Sequence, residues 1–185
     1  MRRRALIAAA SFAAAVLLRP TPAHALENST RGPFYIQGIV AGIAFQDRGF
    51  GTWFHQDFEF GFHTTGRHDG FVIGVRQGFD LGDCSAGETV ARLGFDIAIP
   101  LGGGGKYEMT IAPYGVAGLN YYFPCGGGGT TEAGLRFGGG IELKFFVYKG
   151  LYVLARPAET TGAEYVDAGR VFFHFDSGVG LGFAF

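Results

Sequence analysis

The last sixteen residues, Arg170-Val171-Phe172-Phe173-His174-Phe175-Asp176-Ser177-Gly178-Val179-Gly180-Leu181-Gly182-Phe183-Ala184-Phe185, decide the fold. Their odd positions are Val171, Phe173, Phe175, Ser177, Val179, Leu181, Phe183 and Phe185. Their even positions are Arg170, Phe172, His174, Asp176, Gly178, Gly180, Gly182 and Ala184. The first set is bulky and apolar apart from Ser177, and the second is polar or very small apart from Phe172. Strand side chains alternate between two faces, whereas a helical period of 3.6 would mix the two sets around one axis. The segment is a strand.

Four upstream segments repeat the pattern. Phe58, Phe60 and Phe62 oppose Asp57, Glu59, Gly61 and His63. Phe71, Ile73, Val75 and Phe79 alternate with Gly74, Arg76, Gly78 and Asp80. Leu93, Phe95, Ile97 and Ile99 face away from Arg92, Gly94, Asp96 and Ala98, and Leu135, Phe137, Ile141, Leu143 and Phe145 from Arg136, Gly138, Gly140, Glu142 and Lys144. Stretches near 33–46, 106–123 and 151–157 alternate less cleanly, and Pro113 suggests a bulge or a change of parity in the second. The total is eight strands.

Composition says what surrounds them. The chain has 20 phenylalanines and 33 glycines, and its only lysines are Lys106, Lys144 and Lys149. Such a set cannot readily build the charged exterior of a water-soluble domain. Beyond the N-terminal segment no apolar run reaches the 18 or so residues of a spanning helix, so the way left to present this apolar surface to lipid is a closed barrel. The expected fold is all-β: an eight-stranded antiparallel up-and-down transmembrane β-barrel.

Residues 1–25 stand apart. Arg2, Arg3 and Arg4 precede the apolar stretch Ala5–Leu18, and Ala23-His24-Ala25 supplies the small-x-small pattern of a cleavage site. The segment reads as a cleaved export signal, leaving 26–185 as one barrel domain. It removes Arg2, Arg3, Arg4 and Arg19, so 11 basic residues face 16 acidic ones in the remainder. Without a basic cluster, nucleic acid is not an expected partner.

The connections set an orientation. With both termini periplasmic, short turns are expected at Thr64–Asp69, Leu101–Lys106 and Tyr148–Gly150, and longer outer loops near 46–56, 80–88, 124–132 and 157–167. The bulky face is assigned to lipid and the glycine-and-charge face to the narrow lumen. Trp53, Tyr121, Tyr122 and Tyr165 near one edge, and Tyr107, Tyr148 and Tyr152 near the other, read as interfacial girdles.

On these features the chain resembles the small outer-membrane barrel families: the OmpA transmembrane domain, OmpX and the opacity-like proteins. The ending Val179, Leu181, Phe183, Phe185, with its C-terminal phenylalanine, looks like the assembly signal of those families. The resemblance implies a bacterial outer-membrane location, lipid and lipopolysaccharide as surroundings, and the barrel-assembly machinery as a partner during insertion. It names no subfamily, and fold does not fix function.

Candidate chemistry is sparse. Cys84 and Cys125 fall in neighbouring outer loops of an exported protein, which points to a disulfide. Glu59, Arg76, Arg92, Asp96, Arg136, Glu142, Lys144, Arg156, Arg170, His174 and Asp176 are expected to pair inside the lumen, because a buried charge must be paired or watered. Such a network plugs a barrel or gates a narrow pore, and the plug is the favoured reading. His174, Asp176 and Ser177 suggest a hydrolytic trio of the kind a lipid A-modifying barrel would need, but Ser177 lies on the opposite face. His55, His63 and His68 lack a repeated ligand spacing, and the GGGGK of 102–106 is followed by Tyr107 where a phosphate loop needs Ser or Thr. No catalytic residue, cofactor or metal is expected, and the protein is read as a non-enzymatic envelope barrel.

Overall fold

A computed structural model describes residues 32–46, 52–67, 69–82, 85–101, 107–123, 131–165 and 170–185. They form eight strands: β1 (Phe34–Gln46), β2 (Thr52–His63), β3 (Gly70–Leu81), β4 (Ser85–Leu101), β5 (Tyr107–Phe123), β6 (Glu132–Tyr148), β7 (Leu151–Tyr165) and β8 (Arg170–Ala184). Each pairs antiparallel with its sequence neighbours, and β1 pairs with β8, so the sheet closes in up-and-down order. No edge strand is left with unpaired backbone groups. The segments expected as strands from 33 to 185 are all found.

The barrel's shape follows from its register. Directly paired residues lead from Tyr35 through Gly61, Gly74, Arg92, Val116, Gly138, Thr161 and His174 back to β1 at Gln46. That circuit climbs eleven residues along β1, one of which is a bulge. With strands about 4.8 Å apart and a rise of about 3.4 Å per residue, the strands tilt by roughly 40°.

Two bulges reset parity. In β1 the pairing passes from Ile39–Gly180 to Ala41–Val179, so Val40 is extra. Its two sides are satisfied locally: the Ile39 amide donates to Asp57 Oδ1 at 2.9 Å, and Gln56 Nε2 donates to the Val40 carbonyl at 3.2 Å. In β7 the pairing passes from Arg156–Gly178 to Glu159–Asp176, so Pro157 and Ala158 together oppose one residue of β8. A proline costs a sheet least where the ladder is already interrupted. The bulge expected at Pro113 is not there. The β5 registers with β4 and β6 carry no shift, Ala112 and Tyr114 are both buried, and Pro113 points outward.

The loop lengths also differ from expectation. Strand bounds leave 47–51, 82–84, 124–131 and 166–169 between hairpins at one end, against 64–69, 102–106 and 149–150 at the other. Only 124–131 is clearly long. The strands run on because residues beyond the apolar stretches, such as His55, Asp80, Glu88 and Glu159, belong to inward faces and are buried there. Charge just past an apolar run reads as a loop in one dimension and as barrel lining in three.

Candidate functional site

Alternation places one residue in two inside the barrel, and glycine decides what fits there. Gly182 faces the Tyr152 ring and Gly61 the Tyr35 hydroxyl so closely that a Cβ on either would collide with it. The small residues of the inner face therefore make room for three tyrosines, Tyr35, Tyr114 and Tyr152, and five long cations in a narrow bore.

Three layers result. Towards the end where Phe34 meets Phe185, Tyr35, Ile39, Val72, Phe146, Tyr152, Leu154 and Ala184 form a buried apolar cluster. Here Lys144 Nζ bonds Asp96 at 2.6 Å, and His63 lies between Asp96 (3.1 Å) and the Pro33 carbonyl (3.1 Å). At the opposite end Ala44, Trp53 and Ala86 form one cluster, Ala163 and Phe172 another, and Tyr122 packs against both.

The middle is charged. Arg92 holds Glu59 at 2.8 Å and Glu142 at 2.8 Å, and its guanidinium lies 4.1 Å from the centre of the Tyr114 ring. Glu59 also accepts the Tyr35 hydroxyl at 2.5 Å, and Glu142 accepts Gln37 Nε2 at 3.0 Å. Arg156 bonds Glu142 at 2.8 Å and also Asp57. Arg76 grips Glu159 through both terminal nitrogens at 2.5 Å, while its Nε meets Glu88 at 2.9 Å. Arg136 joins Glu88 at 2.7 Å to Asp176 at 3.4 Å. Each of the four arginines thus bridges carboxylates from two other strands. In so low a dielectric this is the arrangement that offsets desolvation.

Of the expected lumen residues, Glu59, Arg76, Arg92, Asp96, Arg136, Glu142, Lys144, Arg156, His174 and Asp176 are buried in the lumen and lie within these contacts. The side chain of Arg170 lies outside the described residues, as do Cys84, Cys125 and His68. The sequence reading missed Glu88, Glu159 and the hydroxyl groups of Tyr35 and Tyr114. It put Asp57 and Asp80 on the inner face without giving either a partner. Parity counted through the Pro157 bulge would have supplied Glu159.

Three aromatic assignments are corrected, and one of them, Tyr122, shares the inward parity of β5 and packs against the lumen clusters at the rim. Trp53 and Tyr152 line the lumen, at 3% and 0% exposure, instead of standing in girdles. Both occupy inward positions of their strands, and a deeply buried ring finds more contact there than at a wet rim. Tyr121 is partly exposed, Tyr148 is 65% exposed, and the side chains of Tyr107 and Tyr165 are not described.

The histidines have carboxylate neighbours. His55 lies 2.6 Å from Asp80 and 3.2 Å from Asp57, and His174 Nε2 lies 3.7 Å from Asp80 and 4.0 Å from Asp176. Ser177 sits on the other face, paired with Ile43, so this histidine has no nucleophile beside it in β8. Among the described residues no three His, Cys, Asp or Glu side chains are grouped to hold a metal ion. Val179, Leu181, Phe183 and Phe185 are exposed on the outer face.

No protein-family model and no curated protein sequence matches the chain. Among solved structures, Neisserial surface protein A superposes with a TM-score of 0.60 at 13% identity, over 82% of this chain and 97% of that one. The chain has the fold of the small eight-stranded outer-membrane barrels. The N-terminal barrel domain of Pseudomonas aeruginosa OprF also matches, with a TM-score of 0.49 at 15% identity, over 84% of this chain and 100% of that domain. So does the attachment invasion locus protein Ail of Yersinia pestis, with a TM-score of 0.41 at 13% identity, over 84% and 98%. At such identities the likeness concerns the fold.

Proposed function

We propose that this chain is an integral outer-membrane β-barrel whose lumen is a plug, serving as a structural or surface-interaction component of the bacterial envelope. One observation carries the membrane part. All eight strands turn large apolar side chains outward, from Phe34 on β1 to Phe183 on β8, while the charged residues of the strand middles point in. A water-solvated barrel has the reverse polarity.

The plug part is supported by the middle layer. Arg76, Arg92, Arg136 and Arg156 reach across the bore to carboxylates of several strands, and aromatic clusters lie above and below them. On this reading residues 1–25 are an export signal and both termini face the periplasm.

Purified, refolded protein in a planar bilayer tests the plug: no conductance steps above baseline are expected. Discrete steps at neutral pH would replace the plug with a narrow pore. Recovery of the protein in the soluble periplasmic extract would remove the membrane reading altogether.

A further inference from the structure

The outward face is not uniformly apolar. A circuit of ten residues, bulge excluded, over eight strands means that each directly paired step climbs by about 1.2 residues, so levels can be compared between strands. At a tilt near 40° one residue is worth about 2.6 Å along the barrel axis. On this scale Gln56, Gln77, Thr89, Thr160 and Ser177, on five different strands, fall at one height to within about 5 Å. Ala41, Ala117 and Gly139 complete the ring on the remaining three strands. All eight positions point outward, and none is a large apolar residue. The belt was visible in the sequence at one point only, as the lone interruption at Ser177 in the bulky face of β8.

The belt divides the exterior unequally. Below it, phenylalanine, leucine, isoleucine and valine run down to Ile99 and Val147, about 23 Å from the middle of the belt by the same axial rise, with Leu101 on β4 about 5 Å lower still. Above it stands a second ring that includes Phe45, Phe54, Phe79, Phe137 and Phe173, all exposed. From Ile99 to Phe173 the two zones span roughly 33 Å, with exposed Val171 and Phe123 higher still, whereas the apolar band of an outer-membrane barrel is about 25 Å tall. The lower zone alone, ending at the belt, matches that band. The belt amides are also turned back on the barrel. Gln56 Nε2 donates to the Val40 carbonyl, Gln77 Nε2 to the Gly78 carbonyl at 3.4 Å, and the Thr89 hydroxyl to Gln77 Oε1 at 2.6 Å. Amides beside hydrocarbon must find such partners in the protein.

We propose that the belt marks the outer limit of the hydrocarbon, and that the phenylalanine collar above it is seated in the polar head-group layer of the outer leaflet. This rests on the membrane reading above and adds to it a depth and a partner. The collar meets lipid head groups, and acyl chains meet only the surface below the belt.

Depth-dependent quenching tests it. Trp53 is the single tryptophan, so Trp53→Phe provides a dark background for Leu93→Trp below the belt, Thr89→Trp within it, and Phe175→Trp and Phe45→Trp in the collar. Each variant is refolded into phosphatidylcholine vesicles brominated near the head group or near the chain end, and checked for heat-modifiable migration. Leu93→Trp is expected to lose most of its emission to deep bromines and Thr89→Trp to shallow ones. The collar tryptophans should be quenched by aqueous iodide and hardly by deep bromines. Deep-bromine quenching of both collar sites to the same extent as Leu93→Trp would overturn the proposal while leaving the membrane reading intact. Absence of bromine quenching at Leu93→Trp would overturn both.

Discussion

Arg92 is fully buried and shared between Glu59 and Glu142, which lie on strands other than its own. Replacing it with leucine leaves both buried carboxylates without their common cation. Arg92→Leu is expected to cost roughly 3–5 kcal/mol, read as a fall in the urea midpoint at which the compact, fast-migrating form disappears on an unheated gel. Glycine gives a second prediction. Gly182→Ala sets a methyl against the Tyr152 ring and should cost about 1–3 kcal/mol by overpacking. At Gly87 an added Cβ meets nothing closer than 3.6 Å, so Gly87→Ala should change the same midpoint little. Residue identity told which side chains are polar and inward. It did not tell who pairs with whom, because partners such as Arg76 and Glu159 are 83 positions apart and meet only after the barrel closes.

Strand β7 shows what periodicity can and cannot deliver at the level of the element. Its first half alternates less cleanly than the clearest strands do, and the sequence reading ended it at Pro157. The break there is a bulge, and pairing resumes through Tyr165. The extra residue lets Arg156 and Glu159, three apart, both point inward. Deleting Pro157 would turn Glu159 and Thr161 towards the outside while β7 stays in register below. That variant is expected to give no heat-modifiable band after refolding, whereas Pro157→Ala, which keeps the residue count, should still give one. Strands β2, β3, β4, β6 and β8 were legible because their apolar and polar faces separate with period two. The strand ends were not, because inward charges at a rim resemble a loop until the neighbouring strand is known.

At the scale of the whole molecule, the barrel buries five basic side chains among the described residues. Arg76, Arg92, Arg136, Lys144 and Arg156 are at most 2% exposed, whereas the side chain of Arg67 is 52% exposed and Lys149 is exposed at a turn. Trypsin added to the folded protein in micelles should therefore spare the five lumen sites, and cut them once the sample has been boiled. Mass spectrometry of the fragments reads this directly, and cleavage at Arg92 or Arg156 without heating would show that the bore admits more than the packing allows.

The seam between β1 and β8 sets a timetable. Tyr35 pairs with Ala184 and Phe34 exchanges backbone hydrogen bonds with Phe185, so the two extremities of the domain must meet before the sheet has no edge. A chain emerging N-terminus first cannot make that joint until β8 has been delivered. Until then every hairpin carries a sticky border and a row of phenylalanines with nothing to cover them. Loss of even a few residues from the end of β8 therefore strikes the last step, in which all eight strands become one object.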